Sequence, residues 1–95
     1  MANQDVQQVS ARHILVKNEH EAKDLLVKIG EGVEFEKLAQ DFSTCPSGKK
    51  GGALGSFTRG RMVKEFEDAA FNLEVGKVSD IVKTRFGYHL IKREA

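Results

Sequence analysis

STCPSGKKGGALGSF, residues 43–57, holds the chain's only cysteine, its only proline and four of its nine glycines. Pro46 biases the preceding residue, Cys45, toward an extended backbone and so gives the thiol a fixed direction. The glycines that follow open backbone conformations denied to other residues. Cys45 has two readings. It is a small buried hydrophobe, or it is a thiol set at the mouth of a loop, with Lys49, Lys50 and a nearby histidine available to favour the thiolate. In the second reading the two lysines overhang the site. GKKGG, residues 48–52, is similar to an anion-binding loop, but it lacks the P-loop spacing and the hydroxyl residue after the lysine, which argues against a nucleotide.

On both sides of this stretch the apolar spacing is helical. Upstream, Phe35, Leu38, Ala39 and Phe42 mark one helix. Before it, Ala22, Leu25, Leu26 and Ile29 mark another, opened by a capping box of Asn18 and Glu21 and stopped by Gly30 and Gly32. Downstream, Met62, Phe66, Ala69, Ala70 and Leu73 line a third helix over about Val63 to Leu73, ended by Gly76. Strand patterns lie at the two ends of the chain. VSARHILV (Val9–Val16) reads as a buried strand, LGSF (Leu54–Phe57) as a short one. SDIVKT (Ser79–Thr84) and YHLIKR (Tyr88–Arg93) read as a pair joined by a tight turn around Phe86-Gly87. The order β-α-α-β-α-β-β predicts an α+β layer, a small, mostly antiparallel sheet packed with helices.

Ninety-five residues suit one domain, with residues 1–8 expected as an N-terminal tail and 9–95 as the domain. The composition, 40% apolar and 31% charged, is that of a soluble globular protein. A formal net charge of +1 gives no overall pull toward nucleic acid or membrane. The charge is uneven: five Lys/Arg against eight Asp/Glu in residues 1–47, ten against six in residues 48–95. One cysteine makes no internal disulfide, which fits a reducing compartment. MANQDVQQVS lacks the features of a signal peptide and no run has the length of a membrane helix, so a cytoplasmic monomer is expected.

His13 shares a strand face with Ala11 and Leu15, and His89 shares one with Ile91. Each alone reads as a hydrogen-bonded core histidine. If the terminal strands are neighbours, the two rings lie side by side. His20, in a first helical turn, reads as solvated. The cysteine and three histidines show no paired ligand spacing, so no metal and no cofactor is expected. Met62 and Phe66, four apart, read either as core or, with Leu54 or Phe57, as a shallow apolar cup that would suit a proline ring.

ARHILV, FSTCPSGKKGGALGSFTRGRMVKEFEDAAFNL and GKVSDIVKTRFGYHLIKR, in this order and spacing, resemble the parvulin-type peptidyl-prolyl cis/trans isomerases, from about Ala11 to Arg93. Small stand-alone parvulins look most similar. The resemblance implies a parvulin/FKBP-like α+β fold, a four-stranded antiparallel sheet surrounded by helices. It implies catalytic roles for His13, Cys45, His89 and Thr84, and a proline pocket of Leu54, Met62 and Phe66, with Phe57 beside it and Phe86 at its border. The implied partners are proline-containing segments of client proteins, with no nucleic acid and no membrane. The chain departs from the family pattern at Ala53, where an acidic residue is common, and at Lys64-Glu65-Phe66, where a proline-containing step is common. Glutamate suits a first turn, so the helix is expected to form. KNEHE (residues 17–21) stands where phospho-directed members carry a longer basic loop, which implies no phosphate preference. Two rival functions remain on the residues alone: a non-catalytic peptide-binding module, and a cysteine hydrolase pairing Cys45 with a histidine, for which no oxyanion-hole motif is present.

Overall fold

In the computed structural model, which describes residues 8–95, strand β1 (Gln8–Val16) pairs on both sides. The expected tail therefore lies outside the described residues, apart from Gln8, which opens the strand. Two helices follow, α1 (Glu19–Gly30) and α2 (Phe35–Phe42), then a 3-10 turn at Pro46–Lys50 and strand β2 (Ala53–Thr58). Helix α3 (Lys64–Asn72), β3 (Val82–Thr84) and β4 (Gly87–Arg93) complete the chain. The sheet order is β2-β1-β4-β3, antiparallel throughout. This is the α+β architecture expected, with the 3-10 turn added. Among the described residues no helix is long and apolar enough to cross a membrane.

Strand alternation divides the buried side chains between two faces. Ile14, Val16 and Leu90 pack against Ala22 and Leu25 of α1 and against Phe35, Leu38 and Ala39 of α2. Val9, Ala11 and Ile91 pack on the opposite face with Phe57 of β2 and with Phe66 and Ala70 of α3. Each fully buried aliphatic side chain contributes about 1.5–3 kcal/mol. Two helices cover the first face and one covers the second.

Several local expectations are corrected. Asn18 does not cap the backbone of α1; its amide donates to Glu21 Oε1 at 2.9 Å, so the two capping-box side chains satisfy each other. Phe42 leaves the helix face and is 47% exposed, because α2 ends there and the chain turns extended at Ser43. The strand expected from Ser79 starts only at Val82. Ser79 Oγ accepts the Ile91 N–H at 3.0 Å, a bond between side chain and backbone where the ladder would have continued. Asp80 Oδ1 then accepts the Ile81 N–H at 2.9 Å and turns the chain away. The β3–β4 turn centres on Arg85-Phe86, one residue earlier than expected, since Thr84 pairs with Gly87. Helix α3 forms with Glu65 and Glu67 in its first turn, where carboxylates favour the helix dipole.

Candidate active site

β1 and β4 pair with Leu15 opposite His89 and His13 opposite Ile91. The two histidines are therefore diagonal neighbours on the face that α3 covers. Their rings stack, with centroids 5.2 Å apart and planes 20° from parallel. Both are buried. The edge of each ring meets Phe66, at 5.4 Å from His13 and 5.3 Å from His89. Burial, and secondarily the neighbouring His89, lowers the His13 pKa from 6.5 to about 4. Burial also lowers that of His89. The pair is neutral at neutral pH.

The hydrogen bonds set its tautomers. Thr84 Oγ1 accepts the Phe86 N–H at 3.1 Å, which leaves its hydroxyl hydrogen to donate to His89 Nε2 at 2.8 Å. His89 is then protonated at Nδ1 and donates to His13 Nδ1 at 3.0 Å. His13 carries its proton on Nε2, which is buried without a hydrogen-bond partner among the described residues. The reverse direction would leave the Thr84 hydroxyl hydrogen unpaired as well, and is disfavoured for that reason.

The segment quoted first is fastened to the end of β1. Ser43 Oγ accepts N–H groups from Leu15 at 3.1 Å and Cys45 at 3.3 Å, and Thr44 N–H donates to Leu15 O at 2.8 Å. These bonds carry Cys45 to the histidine end of the sheet, where Ser47 Oγ donates to its half-buried sulfur at 3.3 Å. Pro46 opens the 3-10 turn. Gly52, at φ +85°, then returns its carbonyl to the His13 N–H at 3.0 Å. A Cβ at Gly52 would collide with the His13 carbonyl oxygen. Gly52 thus serves a close approach to β1.

These elements enclose an open cleft of about 410 Å3. His13, His89, Cys45 and Leu15 lie along it with Leu54 of β2, Met62, Val63 and Phe66 at the start of α3, and Phe86 of the β3–β4 turn. Seven of the nine expected site residues line it. The other two stand behind it. Phe57 is 4% exposed and packs 6.0 Å from Phe66, and Thr84 reaches the site through its bonds to His89 and to the Phe86 N–H. Arg61 and Arg85 line the rim, whereas Lys49 and Lys50 do not, so the expected overhang by the lysines is corrected.

Leu15, Val63 and Arg85 were missed in the sequence. Leu15 had a signal in its strand face, shared with His13. Arg85 had one in its position beside Phe86. Glu67 was missed too. Its carboxylate accepts the Gly60 N–H at 2.6 Å and pairs with Arg59 at 3.2 Å, holding the turn that delivers Arg61 and Met62 to the rim.

A family model for the rotamase, PPIC-type PPIase domain matches residues 6–95. The chain is 54% identical over 85 residues to the foldase protein PrsA of Geobacillus kaustophilus, a match covering 88% of this chain and 30% of that protein. The chain thus spans about a third of the foldase relatives it matches. The crystal structure of PrsA from Bacillus anthracis superposes with a TM-score of 0.92 at 44% identity, covering 94% of this chain and 42% of that one. NmPin, the parvulin of Nitrosopumilus maritimus, superposes with a TM-score of 0.86 at 47% identity, covering 97% of this chain and all of that one (100%).

Proposed function

This chain belongs to the PPIC-type peptidyl-prolyl isomerase family, and from that premise we propose that it accelerates cis/trans rotation about X–Pro bonds in peptides and unfolded proteins. The observation that carries this reading is an apolar cup of Leu54, Met62, Val63, Phe66 and Phe86 set against a neutral histidine pair and one thiol.

Rotation about an amide costs about 18–20 kcal/mol because the C–N bond has partial double-bond character. No bond is made or broken and no proton is transferred overall. A catalyst needs only to bind the twisted amide better than either planar form. Twisting removes resonance and leaves a less dipolar group with a more ketone-like carbonyl. An apolar cup disfavours the more dipolar planar amide and grips the ring while the carbonyl swings. Cys45 lies beside the path of that carbonyl. It acts by steering and polarising, as a member of the network with His13 and His89, and forms no covalent bond. The neutral histidines support this role: His89 is held by Thr84 and His13, His13 by His89 alone, and the hydrogen bond to the thiol comes from Ser47, so neither histidine is held as its base. Their work is to keep β1 and β4 in register under the cup.

Only Lys17 and Asn18 separate β1 from α1, too short a link for a phosphate clamp. That link therefore supplies no phosphate clamp, and the site needs no phosphate on its substrate. The expected working state is a monomer in the cytoplasm, where Cys45 stays a thiol, acting on proline-containing segments of client proteins.

The test is kcat/KM on one X–Pro peptide for Cys45→Asp, Cys45→Ser and Cys45→Ala, each first shown to be folded. Cys45→Asp keeps an accepting, negative group beside the histidines and retains substantial activity, while Cys45→Ala falls further. A folded but inactive Cys45→Asp would restore the nucleophile. An inactive wild-type chain would leave the non-catalytic peptide-binding module.

A further inference from the structure

The rim of the cleft carries two guanidinium groups and no carboxylate. Arg61 precedes Met62 and Arg85 precedes Phe86, so each directly adjoins a wall residue of the cup. Both side chains are exposed. Of the basic residues near them, Arg59 pairs with Glu67 and Asp68 and Lys64 with Asp68, while Lys83 lies over the Tyr88 ring. Arg12, on β1, is held by Glu36 and Glu94. Among the described residues neither Arg61 nor Arg85 has such a partner. Arg85 lies with its guanidinium carbon 5.0 Å from the centre of the Phe86 ring, a stacking that fixes the cation next to the apolar wall.

We propose that Arg61 and Arg85 make this cleft selective for prolines preceded by an acidic residue. The inference rests on the isomerase reading and names the substrate class of that same site. The residue before proline is bonded to the ring nitrogen through the rotating carbonyl. With the ring in the cup, its side chain has nowhere to go but the rim. A carboxylate there meets one or both guanidiniums in planar, two-pronged geometry, a form of recognition that lysine does not supply. The contact persists through the rotation, because the reach of two arginines on separate turns covers more than one position of the carboxylate. It therefore favours the transition state as well as the bound ground state, and it adds electrostatic steering to the encounter. The uneven charge of the chain has its use here: both arginines belong to the basic half.

Three peptides differing only before proline, Glu-Pro, Gln-Pro and Lys-Pro, separate this inference from the reading beneath it. At low salt kcat/KM follows Glu above Gln above Lys, with Glu over Gln by about fivefold, which is about 1 kcal/mol of barrier. The ratio shrinks at 0.5 M salt, as contacts between exposed charges do. Arg61→Gln with Arg85→Gln brings the Glu-to-Gln ratio near one, and Arg85→Glu reverses the order of Glu and Lys. Both arginines are exposed, so circular dichroism on each variant verifies an intact fold. Turnover of Gln-Pro with Glu-Pro no faster would overturn the selectivity and leave the isomerase intact. A Glu-to-Gln ratio that survives the double substitution would also overturn it. No turnover of any of the three peptides would overturn the isomerase reading and this inference with it.

Discussion

The two faces of the sheet start from similar material and end differently. On one, Ile14, Val16 and Leu90 are sealed by α1 and α2, and every side chain in the cluster is apolar. On the other, α3 alone covers Val9, Ala11, Ile91 and Phe57, and the cleft opens beside its first turn. At that end the same alternation that places Ala11 inside places His13 and His89 inside, against Phe66. The first face is what a small domain needs to fold. The second is a core left one helix short, with its missing cover replaced by a cleft. Phe66 stands on the boundary, buried in the second cluster and lining the cleft as well, so its truncation affects both folding and turnover.

The largest expected effect lies on the sealed face. Leu25→Ala costs about 2–5 kcal/mol, from lost burial and the cavity left behind, while kcat/KM per folded molecule stays near that of the wild type. Denaturant unfolding and a turnover assay on the same sample check both halves. A selective loss of activity would mean that the faces are coupled.

Acid should attack the open face. His13 has a folded pKa of about 4 against 6.5 unfolded, so between these values the unfolded chain binds the extra proton. The neutral histidine's contribution is fully present above pH 6.5 and is lost as the pH falls toward 4, about 3 kcal/mol in all from His13. The lowered pKa of His89 acts in the same direction. Stability measured at steps from pH 7 to pH 4 falls for the wild type and falls less for His13→Gln. Equal slopes would place the acid weakness elsewhere.

Met62→Ala, on the cup wall and half-buried, gives the smallest effect on folding, under about 1 kcal/mol by the ordinary range for a site not fully buried. Turnover drops about tenfold, or roughly 1.4 kcal/mol of barrier. A variant that unfolds instead would make Met62 a core residue and erase the distinction between the faces.

What the sequence carried follows from local periodicity. Alternation in VSARHILV and YHLIKR and helical spacing around Leu25, Leu38 and Phe66 are properties of neighbouring residues, so the elements, the α+β class and the two histidines were readable. Of the contacts made at a distance, the side-by-side histidines followed from pairing the terminal strands and the pocket from the family resemblance, but others were not readable. Lys49 and Lys50 stand near Cys45 in the chain and were expected over the site, but the 3-10 turn leaves them outside the cleft. Arg85 is forty residues from Cys45 and reaches the rim only because β3 and β4 close where they do. The bonds from Ser43 and Thr44 to Leu15 and the clamp of Glu67 on Gly60 likewise join parts whose meeting depends on the completed fold. Phe42 kept its helical spacing as the last residue of α2, but the chain turns extended at Ser43 and leaves its ring exposed.

Titrating an X–Pro peptide into the isotopically labelled protein, while following cis/trans exchange of the peptide by NMR, tests the division of labour between the faces most directly. The account predicts amide shifts at His13, Cys45, Leu54, Met62, Phe66, Phe86 and His89, none at Ala22, Leu25 or Leu38, and peptide exchange faster than the uncatalysed tens to hundreds of seconds. Shifts centred on α1 and α2, or binding at the cleft with no acceleration of exchange, would contradict it.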